Sequence, residues 1–159
     1  VPNKVTYSKP YYFSLFLTVL VGIQIMFGAF VSGLDAGYGY NTFPKMGDEW
    51  LPQSAFLLSS LWENILHNRV MIQFVHRSFA WGLVFLTLIF AFYSKKRDLS
   101  EWQKKAFNIF LFALIIQFLL GVLTLVFVIP LPLALLHQLG GLVLLSSVVF
   151  LFFSYRYSI

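Results

Sequence analysis

Residues 69–93 read RVMIQFVHRSFAWGLVFLTLIFAFY. At a rise of ~1.5 Å per residue, a helix of this length crosses a hydrocarbon layer of ~30 Å. Only helices and closed barrels satisfy every backbone N–H and C=O in lipid, and the run lacks the alternation of a barrel strand. Inside it stand His76 and Arg77, side by side, where ionisable groups are costly. Three further runs are apolar over a similar length, at about 11–34, 105–129 and 133–155. The expected fold is therefore all-α, an integral membrane four-helix bundle.

Composition agrees. The chain has 159 residues, 59% hydrophobic and 11% charged, whereas soluble domains carry about 25% charged residues. There is no cysteine, which excludes disulfides, thiolate metal sites and a cysteine nucleophile. The net charge of +5 does not indicate nucleic acid, because the basic residues flank apolar runs instead of forming a face of their own. The opening VPNKVTYSKP has no apolar core and no small-residue cleavage site, so it is not a signal peptide. The chain begins at Val1, which suggests a piece of something longer.

The connections set topology. A long loop, 35–68, follows the first span, and Pro52 to Leu66 within it suits a short interfacial helix. Only the Pro130–Pro132 turn separates the third and fourth spans, which makes them an antiparallel hairpin. Lys95, Lys96, Arg97, Lys104 and Lys105 share one side with Lys4, Lys9 and Arg156 at the termini, while Asp35, Asp48, Glu49 and Glu63 fall on the other. That is a positive-inside pattern with both termini cytoplasmic, or on the matrix side in a mitochondrion. No strong internal repeat is visible.

Each span carries one small or polar stripe at helical spacing: Gln24, Gly28, Ser32 and Asp35; Arg69, Gln73, His76 and Ala80; Gln117, Gly121 and Thr124; Ala134, His137 and Gly141. Helix packing is the plainer reading for the glycines, Gln24, Ser32 and Thr124. The histidines suggest more. His76 and His137 lie at similar depth on two inward stripes, and two imidazoles can grip one iron from opposite faces of a haem. Gly141, one turn beyond His137, would let a porphyrin edge approach, and Ala80 does the same beyond His76. Arg77 points about 100° away from His76 and needs an anion, either Asp35 or a haem propionate. Lys45 and Arg69 are further candidates for propionates. His67 reads as an ordinary surface histidine.

Three blocks carry a family resemblance: GAFVSGLDAGYGYNTFPKMGDEWLP at 28–52, NRVMIQFVHRSFAW at 68–81 and GVLTLVFVIPLPLALLHQLGG at 121–141. They resemble haem A synthase, and more narrowly the C-terminal half of its mitochondrial and alphaproteobacterial branch, over about residues 12–154. The resemblance implies eight spans in two pseudo-symmetric halves, of which 1–159 is one, a single haem-b-binding domain. It implies oxidation of the methyl group of haem O to the formyl group of haem A, with oxygen derived from dioxygen or water. The substrate haem and an essential glutamate belong to the N-terminal half, which is absent here; neither Glu49 nor Glu63 replaces that glutamate, so no catalytic residue is expected. The cofactor is haem b with bis-histidine ligation by His76 and His137, supported by Arg77, Gly141 and Gln73.

The implied partners are haem O through the missing half, membrane lipid and haem O synthase. The electron partner is unnamed and a homo-oligomer is left open. The implied location is the bacterial inner membrane, or the mitochondrial inner membrane. The competing readings are a non-enzymatic bis-histidine cytochrome b that carries electrons, and a haem-free assembly protein.

Overall fold

A proline in a helix's first turn loses nothing, because its missing N–H would have no partner there. Pro10 takes that place in α1, Lys9–Gly33. The computed structural model describes residues 8–95 and 98–156. Within them, α1 is followed by a short α2 (Leu61–His67) and three long helices, α3 (Arg69–Lys95), α4 (Glu101–Val126) and α5 (Leu131–Arg156). All four long helices are apolar and long enough to cross a membrane. This is a helical, multi-pass membrane protein.

Local chemistry explains the helix ends. The expected third span, 105–129, runs instead from Glu101 to Val126. A capping box starts it early: Ser100 Oγ accepts from Gln103 N, and Gln103 Oε1 accepts from Ser100 N. The turn after it is left-handed at Val128 (φ 60°) and Ile129 (φ 58°), a conformation that β-branched residues rarely adopt. Ile129 N donates back to Thr124 O at 2.8 Å, which closes the helix before Pro130.

The interfacial helix expected over Pro52 to Leu66 is two pieces, a 3₁₀ turn at Gln53–Phe56 and α2. Asn68 ties both to the bundle. Its Oδ1 accepts from Val70 N and Met71 N at the start of α3, while its Nδ2 donates to Ser54 O and Asn64 Oδ1.

Helix α1 lies between α3 and α5, and α5 also packs along α4, whereas α3 and α4 meet only sparsely. Two ends of the bundle therefore differ. The end carrying the chain termini is filled by Leu17, Val21, Phe90, Phe110, Val148 and Leu151, all buried. The end carrying the 34–68 segment opens into a cavity. Phe85, Phe92 and Phe112 are about two-thirds exposed; in water such a surface would aggregate, and in lipid it is the ordinary outer face. Lys95, Lys104 and Lys105 gather at the terminal end, where Lys104 pairs with Glu101 at 2.7 Å. Lys4, Lys96 and Arg97, which carry much of the expected charge asymmetry, lie outside the described residues.

Candidate functional site

His76 stands seven residues after the start of α3 and His137 six after the start of α5. At ~1.5 Å per residue their depths agree to within about 2 Å. Their side chains meet across the cavity, with ring centroids 6.5 Å apart and planes at 88°. The cavity has a volume of about 480 Å³, within the range of ~300–1,000 Å³ usual for ligand sites. Its lining includes both histidines, Gln24, Gln73, Arg77 and Gln117.

Each histidine is held in the same way. On α1, the Gln24 amide donates to the backbone carbonyl of His76 at 3.1 Å; on α4, the Gln117 amide donates to that of His137 at 2.8 Å. One turn further along each glutamine's helix is a glycine facing the imidazole. A Cβ on Gly28 would stand 3.2 Å from His76 Cε1, and one on Gly121 would stand 2.9 Å from His137 Cε1. The bundle thus contains two similar helix pairs, α1 with α3 and α4 with α5. Each joins a Gln-x-x-x-Gly helix to a histidine helix, with QIMFG at 24–28 and QFLLG at 117–121. The sequence reading found no strong repeat; here a short one carries the site.

The remaining predicted residues are placed as follows. Gln73 is buried and donates to Tyr40 O at 3.0 Å. Gly141 lines the cavity, and the side chain nearest its missing Cβ is the Gln117 amide nitrogen, at 3.6 Å. Its neighbour Gly140 lies directly under Gln117 Oε1. Arg77 forms no ion pair with Asp35. Its Nη2 donates instead to the carbonyls of Thr42 (2.6 Å), Lys45 (3.0 Å) and Pro44 (3.2 Å). A cation in lipid needs partial negative charge, and three carbonyl dipoles supply it without an acid. Lys45 sits over the Trp50 ring, and Arg69 and His67 are exposed.

Arg77 thereby holds a strap that the sequence did not reveal. Residues 41–45 cross the gap between α3 and α4. Asn41 Nδ2 donates to Leu125 O on α4, and Arg77 grips the other end from α3. Between these ties, Phe43 stacks on Trp81 of α3 (5.8 Å, 12°) and meets Phe118 of α4 edge-on (6.0 Å). The strap closes the side of the cavity that helix packing leaves open.

The donor set limits the ligand. Among the described residues no three metal-ligating side chains cluster. Two imidazoles alone suit a metal whose other positions are filled by a macrocycle. Two rings 6.5 Å apart, on different helices and lining one cavity, can both reach a ligand between them. The residues therefore fit a haem.

Comparison with known proteins places the chain in a family. The family model "Cytochrome oxidase assembly protein" (COX15-CtaA) matches residues 2–149. The chain belongs to this family. Among its curated relatives, "Heme A synthase" of Wolbachia pipientis wMel is 42% identical over 144 residues, which cover 91% of this chain and 39% of the relative. "Heme A synthase" of Nitrosospira multiformis is 40% identical over 135 residues (85% and 38%). "Heme A synthase COX15" of Bos taurus is 41% identical over 132 residues (83% and 32%). The chain thus spans well under half the length of these relatives. No solved structure matches it. For a member of the cytochrome oxidase assembly protein family, the paired histidines are the feature from which a functional reading starts.

Proposed function

We propose that this chain is the cofactor-binding half of a haem A synthase, with haem b held between His76 and His137. The observation that carries the reading is two imidazoles from different helices facing each other at 6.5 Å across a cavity in a membrane bundle. Bound there, a haem supplies reversible one-electron chemistry at its iron. The chain's own residues do the rest. His76 and His137 would supply nitrogen ligands, Gly28 and Gly121 leave room for their rings, and Phe43, Trp81 and Phe118 would exclude water from the side. Arg77 Nη1 is buried with no protein partner and suits a propionate. Gln73 and Gly141 line the same space.

The activity we assign to the whole protein is oxidation of the haem O methyl group to the formyl group of haem A. The substrate site lies in the other half, with which this four-span domain acts, and haem O synthase is a partner that could deliver the substrate. The membrane is the bacterial inner membrane or its mitochondrial counterpart, with both termini on the cytoplasmic or matrix side. A cytochrome b that only carries electrons would share the site, but membership of the family weighs against it.

The test is optical. The purified chain should show a reduced-minus-oxidised spectrum of six-coordinate b-type haem. His76→Ala and His137→Ala should each lose the haem or convert it to a five-coordinate form. Colourless parent protein, or unchanged spectra in both variants, would refute the reading.

A further inference from the structure

We propose that Gln24 and Gln117 are a matched pair of positioning residues that set the height and rotation of the His76 and His137 rings. The inference rests on the haem-binding reading above and adds to it the means by which the ligands are held.

Three observations point the same way. First, the two glutamines make the same contact on different helix pairs. Each sends its amide N–H to the main-chain carbonyl of the histidine itself, and to no other residue of that helix. Second, the contact is not needed to satisfy the carbonyl, because that oxygen already accepts the bond of its own helix ladder. The bond satisfies the glutamine's own buried donor, and it is the recurrence of that choice of acceptor at both histidines that points to positioning. Third, each glutamine sits one turn from the glycine that the same histidine's ring packs against. One helix thus fixes both the root and the tip of the imidazole, the root by the amide and the tip by the glycine's bare backbone.

Burial adds to this. Gln24 Oε1 and Gln117 Oε1 are both buried without a protein partner, and both glutamines line the cavity. The amide orientation is set by chemistry, since only the NH₂ group can donate to a carbonyl. At Gln24 the same nitrogen also lies 3.4 Å from His76 Nε2. Gln117 is confined further by Gly140 and Gly141, whose missing side chains leave room for its amide against α5. A metal-ligating histidine that is free to slide or rotate binds its metal poorly, and partners of such ligands are worth about 10–100-fold in affinity.

A control lies within the same molecule. Gln103 also sends its amide across the α4–α5 interface, to Ser154 O at 3.3 Å, at the opposite end of the bundle from the cavity. It makes the same kind of interhelical bond with no histidine attached, and because its Oε1 also caps the start of α4, its loss disturbs helix packing at least as much as loss of either cavity glutamine.

The experiment uses Gln24→Met, Gln117→Met and Gln103→Met in the full chain, purified in detergent; methionine keeps the length and removes the donor. Haemin is titrated into the haem-depleted proteins, and carbon monoxide is added to the reduced, loaded forms. We expect about tenfold or greater weakening of haem binding in each of the first two. We also expect a carbon monoxide adduct in them, because a loosened imidazole yields its position. Gln103→Met should match the parent in both. If a methionine variant yields no folded protein, Gln→Leu at that position takes its place. Affinities within twofold of the parent and no adduct in either cavity variant would overturn the inference while leaving the haem reading intact. Equal weakening by Gln103→Met would overturn it by assigning the effect to helix packing. Weakening at one glutamine alone would overturn the matched pair. A parent that binds no haem would overturn both the reading and the inference.

Discussion

Replacing Gly121 by alanine separates stability from ligation. The added Cβ would stand 2.9 Å from His137 Cε1 and 3.4 Å from its Nε2. Carbon atoms rest at about 3.5–4.0 Å, so the ring must retreat by roughly 0.6–1.1 Å. The ring is the free end of a side chain, and without ligand it moves cheaply. Alanine also favours helix over glycine by about 0.8–1.0 kcal/mol. Thermal stability of the haem-free protein should therefore be unchanged or slightly higher. Ligation should suffer, because a binding constellation tolerates errors of only about 0.5 Å. Restoring the ring to its place against the methyl group is overpacking, which costs about 1–3 kcal/mol. At ~1.4 kcal/mol per decade, that is about 5–150-fold in haem affinity. Gly28→Ala, with its contact at 3.2 Å, should lose about tenfold or less, while Gly22→Ala meets nothing within 4 Å and should match the parent. Haemin titration of the three variants, alongside melting of the haem-free forms, measures both quantities. Equal affinities across the series, or loss of affinity in proportion to loss of stability, would refute the steric reasoning.

Two further outcomes follow from the loop end of the bundle. Arg77→Leu removes the donor to the carbonyls of Thr42, Pro44 and Lys45, so the strap should open. Because the chain has no cysteine, a single Ala80→Cys, partly buried in the cavity lining, reports this by maleimide labelling, which should be several-fold faster in the Arg77→Leu background; equal rates would show that Phe43 packing alone holds the strap. Val128 is half-exposed with φ at 60°, a backbone state that costs an L-residue about 1–2 kcal/mol. Val128→Gly should therefore leave thermal stability unchanged or raise it by up to about 1.5 kcal/mol, after glycine's entropy cost of roughly 0.5–1 kcal/mol is deducted. A clear fall in melting temperature would mean that the valine side chain packs in the turn.

The four spans were legible because lipid imposes one rule on all of them: about 20 apolar residues with the backbone bonded internally. Their ends were less so where apolar content and helix geometry part company. Helix α4 begins at polar Glu101, under a cap, and stops at Val126 although Phe127, Val128 and Ile129 continue the apolar run. The facing of His76 and His137 was legible from depth and stripe alone. The roles of Gln24 and Gln117 were not, although QIMFG and QFLLG are visible once aligned. Only two positions in five agree, and what unites them is a contact with a different helix. Arg77's partners could not be read at all. It is satisfied by main-chain carbonyls, which every residue possesses and no side chain advertises, and they lie more than thirty residues away along an irregular loop.

That last point bears on how a cavity persists in a membrane protein. Apolar burial does not drive helices together in lipid, so packing must hold them, and packing is what a cavity removes. The terminal end of this bundle is filled by interlocked aromatic and aliphatic side chains. Around the cavity the ties are of another kind. Gln24, Gln117, Gln73, Asn41 and Arg77 each donate N–H groups to backbone carbonyls on a neighbouring element. At an average of about 0.6 kcal/mol for such a bond in a membrane, five sum to roughly 3 kcal/mol. That is comparable to the packing of one large buried side chain, so these ties offset part of what the cavity forgoes. Using amide donors has a chemical consequence as well. Each glutamine that spends its NH₂ on a carbonyl retains an acceptor oxygen, and those of Gln24, Gln73 and Gln117 are all buried without a protein partner. The bonds that keep the cavity open thus leave buried acceptors unpaired beside it, a desolvation cost to be set against those ties.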